Sequence, residues 1–281
     1  MDGSKRTIKS AVYHICILAI CFVMIYPVLW MILKSFTSAS SIVDSSLFAF
    51  SEGVNFNNYL EGWRGFGANS FAVFFKNSFV VTIATVAGQV AASAIAAYGF
   101  SRIRFKGSRL WFSCMIVTLM LPQQVLIVPQ YIIFSKLGWI NSFKPLIVPA
   151  LFGYPFFIFL MMQFIQGIPI ELDESAKIDG CNKYSIFYRI ILPLIKPAIT
   201  TSIVFSFYWS WQDFFGPLLF IQSPEKYTVS LALRLFTDPS TVTNWGAVFA
   251  MSTLSLLPVF ILFLFSQKYM VEGISLTGLK G

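Results

Sequence analysis

The amino-acid sequence predicts an all-α membrane protein with six transmembrane helices. Of its 281 residues, 57% are hydrophobic and only 11% are charged, and the mean hydropathy is +0.73. A soluble domain carries roughly 25% charged residues, because it needs a surface that water can wet. At about 20 residues a span, the chain has room for about six helices and for no large domain outside the membrane. The composition therefore excludes a soluble enzyme, a soluble binding module and a disordered chain.

Six apolar stretches supply the predicted spans. The first follows the basic residues Lys5, Arg6 and Lys9 and continues for about 23 apolar residues without an A-x-A site. That length predicts an uncleaved span and not a signal peptide. The second stretch contains Gly88 and many alanines, and such small residues let helices approach closely in lipid. The predicted spans are 11–33, 77–98, 110–133, 145–164, 198–221 and 247–265.

The basic residues predict the orientation of the chain, because Lys and Arg concentrate in cytoplasmic loops. The short segment 102–109 holds four basic residues and no acid. We therefore expect this segment and both termini on the cytoplasmic side. We attribute the net charge of +8 to this bias in the position of basic residues and not to nucleic-acid binding. The predicted layout is a cytoplasmic N-terminus (1–10), the first span (11–33), an outer loop (34–76), a transmembrane core (77–267) containing a cytoplasmic loop (166–197), and a cytoplasmic tail (268–281).

The sequence lacks the motifs of metal sites and of catalysis. The four cysteines have no C-x-x-C spacing and His14 is the only histidine, so we predict neither a zinc site nor a disulfide framework. No G-x-x-x-x-G-K-[ST] phosphate-binding loop is present. The absence of H-E-x-x-H and G-x-S-x-G places an intramembrane hydrolase last among the functions considered. We expect no catalytic residue, metal or cofactor in this chain.

The predicted cytoplasmic loop carries the most regular local pattern. Acidic residues follow Pro169, where a helix N-terminus favours negative charge, and Gly180 is placed to end that helix in a left-handed conformation. Asn182 can cap a second helix from Lys183 to Leu192. The residues alone leave two interpretations open. One is a solvated helical hairpin between two spans, and the other is a rigid lever that transmits motion from an attached soluble motor.

This loop resembles the EAA motif of ABC importer permeases. The residues that carry the resemblance are Glu174, Ser175, Ala176, Asp179, Gly180, Ile190, Leu192 and Pro193. Ser175 stands where the motif usually has alanine, and both residues are small. The segments 97–107 and 206–214 also resemble carbohydrate-type permeases, and 267–281 resembles the end of the smaller permease of maltose-type importers.

The resemblance implies the fold of a type I ABC importer permease and a role in ATP-driven, binding-protein-dependent import of a sugar or oligosaccharide. The motif residues would couple the chain to a separate ATPase, with Glu174 facing a basic residue there. ATP and Mg²⁺ would be bound by that ATPase and not by this chain. The implied partners are a second homologous permease, two ATPase subunits, an extracytoplasmic solute-binding protein, the carbohydrate substrate and the lipid bilayer, without nucleic acid. The implied location is a bacterial or archaeal cytoplasmic membrane, crossed several times.

Candidate substrate-contacting residues lie in the third and fifth predicted spans. Asp213 is the only acid inside a predicted span and lies near Trp209 and Trp211. Ionisable residues within a membrane usually face a cavity or a partner. Gln123 and Gln124 lie beside a proline that would break the third span. Other roles stay open: backbone pairing for the acid, the interface belt for the tryptophans, and helix packing for the glutamines.

A proton-coupled secondary sugar carrier is the alternative function. Four features argue against it: one intramembrane acid, few spans, no internal repeat and a structured cytoplasmic loop. Uptake that collapses with a protonophore while ATP is held constant would identify such a carrier.

Overall fold

The computed structural model describes residues 2–38, 54–65, 68–236 and 244–278. Contacts divide the chain into two compact units, one formed by 1–72 with 233–257 and the other by 73–232 with 258–281. The helices are α1 (Asp2–Lys34), α2 (Asn57–Arg64), α3 (Phe71–Arg102), α4 (Ser108–Leu119), α5 (Gln123–Lys136), α6 (Lys144–Ile147), α7 (Pro155–Gln166), α8 (Glu171–Ile178), α9 (Lys183–Ile186), α10 (Leu192–Leu194), α11 (Lys196–Gln212), α12 (Phe215–Phe220), α13 (Val229–Leu235) and α14 (Trp245–Gly278). Short 3₁₀ helices cover Val148–Phe152 and Pro224–Lys226, and a π-helix covers Phe187–Ile191.

Several of these helices are long and apolar enough to cross a membrane. In the described part of the chain, four helical stretches meet that standard: Lys9–Lys34, Phe71–Arg102, Lys144–Gln166 and Trp245–Lys268. Two helix pairs meet it only together, because each is sharply bent. The bend is 106° between Ser108–Leu119 and Gln124–Lys136, and 75° between Lys183–Leu194 and Lys196–Gln212. Counting each bent pair as one span gives six, so the expected all-α membrane fold is confirmed.

Three helices extend well beyond the predicted spans. Helix α1 has 33 residues where the sequence predicted a span over 11–33. Helix α3 has 32 residues where the sequence predicted a span over 77–98, and α14 has 34 residues where it predicted 247–265. At a rise of 1.5 Å a residue, α3 is about 48 Å long, whereas the hydrocarbon core of a bilayer is about 30 Å thick. Hydropathy detects only the apolar part of such a helix, because backbone hydrogen bonding continues through its polar ends.

The third and fourth predicted spans are each interrupted. Helix α4 ends at Leu119, and α5 starts after Pro122, whose backbone is extended at φ −61° and ψ 130°. The fourth stretch starts as α6, tightens into the 3₁₀ helix Val148–Phe152, and breaks at Gly153 before α7. Gly153 has a φ of 85°, in the left-handed region that favours glycine.

The fifth predicted span is also replaced by two helices. Helix α11 ends at Gln212, and Asp213 is extended at φ −61° and ψ 114°. The carboxylate oxygen Oδ1 of Asp213 accepts a hydrogen bond from the Gly216 N–H at 3.1 Å, in the first turn of α12. A short acidic side chain that bonds to nearby backbone competes with a continuous helix, which explains why the single helix predicted over 198–221 does not form.

In the unit formed by 1–72 and 233–257, helix α2 is held by buried polar and glycine contacts. The Nδ2 group of Asn58 donates to the carbonyls of Ser35 and Thr37, each at 2.9 Å. A Cβ atom at Gly62 would lie 2.8 Å from the side chain of Met251. The absence of a side chain at Gly62 therefore permits the close packing of α2 against the first part of α14.

The core of the other unit lies between α3, α7, the segment 171–194 and the start of α11. Helix α3 contributes Val90, Ala94, Ala97 and Tyr98, and the segment 171–194 contributes Ala176, Ile186, Phe187 and Ile191. The segment is thus packed against membrane helices and is not a hairpin solvated on all sides. Ile186, Phe187 and Ile191 form the buried apolar face of its second helix.

Candidate functional site

Helix α8 has the acidic first turn and the C-terminal glycine that the sequence predicts. Three acids lie in its first turn, where they complement the helix dipole. At its end, Gly180 has a φ of 82°. The Gly180 N–H donates to the Lys177 carbonyl at 3.0 Å, and the Cys181 N–H donates to the Ala176 carbonyl at 2.9 Å. These two bonds form a Schellman motif, so the predicted left-handed glycine at the helix end is confirmed.

Helix α8 has one buried and one exposed face. Asp173 and Ala176, three residues apart, are buried, and Ala176 is part of the apolar core. Glu174, Ser175 and Ile178 are exposed, and Ile178 keeps 87% of its surface accessible. The carboxylate of Glu174 has no ion-pair partner among the described residues. This face thus presents an acid and a large apolar side chain together.

Two side chains from the end of α3 hold this loop. The Nε atom of Arg102 lies 3.1 Å from Oδ2 of Asp173, and both side chains are more than nine-tenths buried. Arg102 Nη2 also donates to the Ile168 carbonyl at 2.6 Å, and the Tyr98 hydroxyl donates to the Lys183 carbonyl at 3.1 Å. The sequence did not predict this pairing, because spacing along the chain carries no signal for it.

The second helix of the loop starts as predicted and continues further than predicted. The Oδ1 atom of Asn182 accepts a hydrogen bond from the Ser185 N–H at 2.8 Å, which confirms the cap. The helix then passes through the π-helical turn and includes Pro193 in its last turn, α10. Proline has no N–H to donate, so the regular pattern of hydrogen bonds is interrupted at this point. Of the motif residues here, Ile190 and Leu192 are half-buried and Pro193 is exposed.

Two adjoining cavities lie in the unit formed by 73–232 and 258–278, with volumes of about 580 Å³ and 490 Å³. Both are lined by Thr85, Gln89, Tyr154 and Asp213. Their walls are rich in amide and hydroxyl groups, which can exchange hydrogen bonds with a polar ligand. Asp213 is the only ionisable acid or base other than tyrosine among the described residues that line them.

The structure brings together three of the five predicted substrate residues. Trp209 lines the larger cavity, Gln124 lines the smaller one, and Asp213 lines both. Trp211 is only 5% exposed and stacks on Phe207 with ring centres 5.6 Å apart, so it lines neither cavity. Gln123 lies at the start of α5, and its side chain is outside the described residues.

A polar stripe on α3 was missed by the sequence analysis. Thr82, Thr85 and Gln89 are three and four residues apart, so they share one face of the helix and line the larger cavity. Ser206 donates a hydrogen bond to the Gln89 amide oxygen at 2.6 Å, and Ser210 donates to the Thr82 hydroxyl at 3.3 Å. These contacts join α3 to α11. Polar residues at helical spacing within an apolar stretch were the signal that could have identified this face.

Comparison with known proteins places these features in a family. Residues 84–275 match the family described as binding-protein-dependent transport system inner membrane component. The chain is 36% identical over 257 residues to "Probable ABC transporter permease protein YurM" of Bacillus subtilis, covering 91% of this chain and 84% of the relative. It is 31% identical to the arabinooligosaccharides transport system permease protein AraQ of Bacillus subtilis, and 30% identical to the trehalose/maltose transport system permease protein MalG of Thermococcus litoralis. In both comparisons 99% of each chain is covered.

The fold is also similar to that of a solved transporter. A chain of a bacterial ABC transporter involved in import of the acidic polysaccharide alginate superposes with a TM-score of 0.79 at 21% identity, covering 94% of this chain and 96% of that chain. The family match spans more than half of the sequence, and the relatives cover nearly all of it. The chain belongs to the family of binding-protein-dependent transport system inner membrane components, and it is therefore a permease subunit of an ABC importer and not an enzyme.

Proposed function

We propose that this chain forms half of the translocation path of an importer for a sugar or oligosaccharide. The named substrates of the relatives AraQ and MalG support a carbohydrate. The amides and hydroxyls around the two cavities suit sugar hydroxyls, and the ring of Trp209 offers a face on which a sugar can stack. With Asp213 as the one carboxylate and with no Lys, Arg or His among the described lining residues, the cavities disfavour an anionic substrate. Family membership leaves no support for a proton-coupled secondary carrier.

The observation that carries the coupling part of the proposal is the two-faced helix α8. Its buried face is anchored to membrane helices, and its exposed face presents Glu174 and Ile178. We place that exposed face in a groove of the ATPase, with Glu174 opposite a basic residue. The turn at Gly180 lets the chain leave the groove toward α9, and Ala176 lies in the same apolar core as Ile186 and Phe187 of the next helix.

The assembly that we propose contains a second homologous permease, two ATPase subunits and an extracytoplasmic solute-binding protein. The residues 1–10, 166–197 and 268–281 would face the cytoplasm, and the loop 34–76 would face outward, in a bacterial or archaeal cytoplasmic membrane. The acid-free basic segment 102–109 supports this orientation.

Purification from native membranes tests the assembly. The tagged chain, extracted in mild detergent and analysed by mass spectrometry, is expected to carry a second polytopic protein and an ATPase with a phosphate-binding loop. A chain that purifies alone, even after cross-linking, would contradict the proposed complex.

Variants of α8 test the coupling role. Glu174→Lys and Gly180→Pro are expected to abolish ATP-driven uptake while the chain still inserts in the membrane. Charge reversal at Glu174 opposes its basic partner, and proline cannot adopt the φ of 82° found at Gly180. Glu225→Lys, an exposed acid outside the loop 166–197, is the control and should retain uptake. Normal uptake by both test variants would reject α8 as the coupling element.

A further inference from the structure

We infer that the buried ion pair between Arg102 and Asp173 is the contact by which α8 moves α3, so that ATPase docking reaches the polar face of the cavities. The inference rests on the coupling role proposed for α8. Both residues are positioning residues, because neither is placed against nucleotide or substrate. Their effect is exerted through the two helices that they join.

The pair lies where it can connect an exposed docking surface to the membrane helices. Asp173 precedes Glu174 in α8, and its side chain is buried while that of Glu174 is exposed. An α-helix is about 10 Å across, so a force applied at Glu174 reaches Arg102 across a single helix. Because α8 is closed by the Schellman motif at Gly180 and packed through Ala176, it can transmit that force as a rigid body.

The other bonds from α3 to the loop do not reach α8 itself. Arg102 Nη2 binds the carbonyl of Ile168, before the helix, and Tyr98 binds the carbonyl of Lys183, after it. Asp173 lies within α8. The ion pair therefore provides a direct polar link between α8 and α3, in addition to the apolar packing of Ala176.

Burial makes this pair effective. The two side chains retain 8% and 4% of their accessible surface, so dissolved salt screens their attraction much less than that of an exposed pair. If one partner becomes neutral, the other is left as a buried, uncompensated charge. Loss of either charge alone is therefore strongly unfavourable.

The geometry of the pair allows the contact to persist when α8 moves. Although the Nε–Oδ2 distance is 3.1 Å, Arg102 Nε and Asp173 Oδ1 make no aligned hydrogen bond to any described residue. Hydrogen bonds weaken steeply when they are misaligned, whereas the attraction between charges falls slowly with distance. A contact held mainly by charge can therefore persist while α8 rotates or tilts.

Helix α3 carries the movement to the cavities. Gln89 lies thirteen residues before Arg102, which corresponds to about 20 Å along the helix axis. There, Gln89 and Thr82 are hydrogen-bonded to Ser206 and Ser210 of α11. Helix α11 follows the loop along the chain, so it is linked to α8 covalently. The ion pair gives α3 its own link, and the two helices that line the larger cavity then move together.

The test uses the purified complex in lipid vesicles. Asp173→Asn removes the charge at nearly constant shape, and Arg102→Gln removes the opposite one. Each is expected to lower ATP-driven transport, and the stimulation of ATPase activity by the binding protein, by about tenfold or more, while the ATPase co-purifies in normal amount. Exchange of the charges, with Arg102→Asp and Asp173→Arg together, is expected to recover part of the loss. Glu225→Gln, at an exposed acid outside the loop 166–197, is the control and should retain normal transport.

A second readout separates movement from stability. In a chain lacking the native cysteines, Thr85→Cys places a reporter on the cavity face of α3. Its reactivity with a soluble thiol reagent should change when ATP and vanadate are added, and this change should disappear with Asp173→Asn. A reporter response that is unaltered by Asp173→Asn would overturn the inference.

The outcomes distinguish the inference from the proposed function. If Glu174→Lys abolishes transport while Asp173→Asn and Arg102→Gln leave it normal, the ion pair is not the link and the coupling role of α8 stands. If Glu174→Lys itself leaves transport normal, the proposed function fails. If the single variants do not assemble, the charge-exchanged pair decides: recovered coupling supports the inference, and an assembled complex that remains uncoupled rejects it.

Discussion

The carboxylate of Asp213 lies both at the start of a helix and at the wall of two cavities. Its Oδ1 atom accepts a hydrogen bond from the Gly216 N–H, and its own carbonyl accepts one from the hydroxyl of Ser230 at 2.6 Å. The backbone pairing considered for this acid in the sequence analysis is therefore present. It does not exclude substrate contact, because Asp213 also lines both cavities.

Two substitutions of Asp213 separate its hydrogen bonding to the backbone from its contact with substrate. Asp213→Ala removes the acceptor for Gly216 and is expected to lower the stability of the purified complex by about 1 kcal/mol, measured as a lower Tm in detergent. Asp213→Asn retains an oxygen acceptor, so its Tm should stay near that of the parent chain. Because charged acceptors make stronger hydrogen bonds, Asp213→Asn should still lower sugar uptake by about tenfold. Full uptake with Asn would confine Asp213 to holding α12.

The breaks in the membrane helices occur at single residues, but each break divides a whole helix. At Gly153 the chain turns between the 3₁₀ helix Val148–Phe152 and α7 with a φ of 85°. The Tyr154 N–H then donates to the hydroxyl of Ser93 on α3 at 3.0 Å, which satisfies a donor that the break leaves without a helical partner. The interruption places Tyr154 at both cavities.

Adding one methyl group tests this break. A Cβ at Gly153 would lie 3.3 Å from the backbone nitrogen and hydroxyl of Ser93, and at φ 85° and ψ 178° a residue other than glycine is strained by about 1–3 kcal/mol. Gly153→Ala should therefore lower the Tm of the purified complex. The matched control is Gly99→Ala within α3, where a Cβ would meet nothing within 4 Å and alanine favours the helix by about 1 kcal/mol. Equal melting of the Gly153 variant and the parent would contradict this account.

At the scale of the whole molecule, the orientation proposed for the chain places α8 and the outer loops on opposite sides of the membrane. Cysteine labelling tests it in a chain lacking the native cysteines. A membrane-impermeant maleimide should label Glu225→Cys in intact cells, because residue 225 is exposed between α12 and α13. Lys106→Cys, exposed in the basic segment, should react only after the membrane is opened. The reverse pattern would contradict both the orientation and a cytoplasmic ATPase at α8.

The sequence predicts those features of the structure that depend on composition or on interactions between residues close together in the chain. The membrane class follows from the scarcity of charge, which no soluble surface tolerates. The limits of α8 depend on Pro169, on the acids of its first turn and on Gly180, and the start of the next helix depends on Asn182 and Ser185. Each of these interactions joins residues within about five positions, so the local sequence determines them.

Tertiary structure decided what depends on residues far apart in the chain. The pairing of Arg102 with Asp173, the bond from Ser93 to Tyr154 and the burial of Trp211 all require helices to be brought together by packing. The sequence indicated a break beside Pro122 but predicted continuous spans through 153 and 213, because apolar composition continues across those two positions. Residues at these interruptions, Tyr154 and Asp213, line both cavities. The sequence by itself thus determined the membrane class, the family resemblance and the local form of α8. Only the tertiary structure decided what anchors α8 and which polar residues share a cavity, because long-range contacts leave no fixed spacing in the chain.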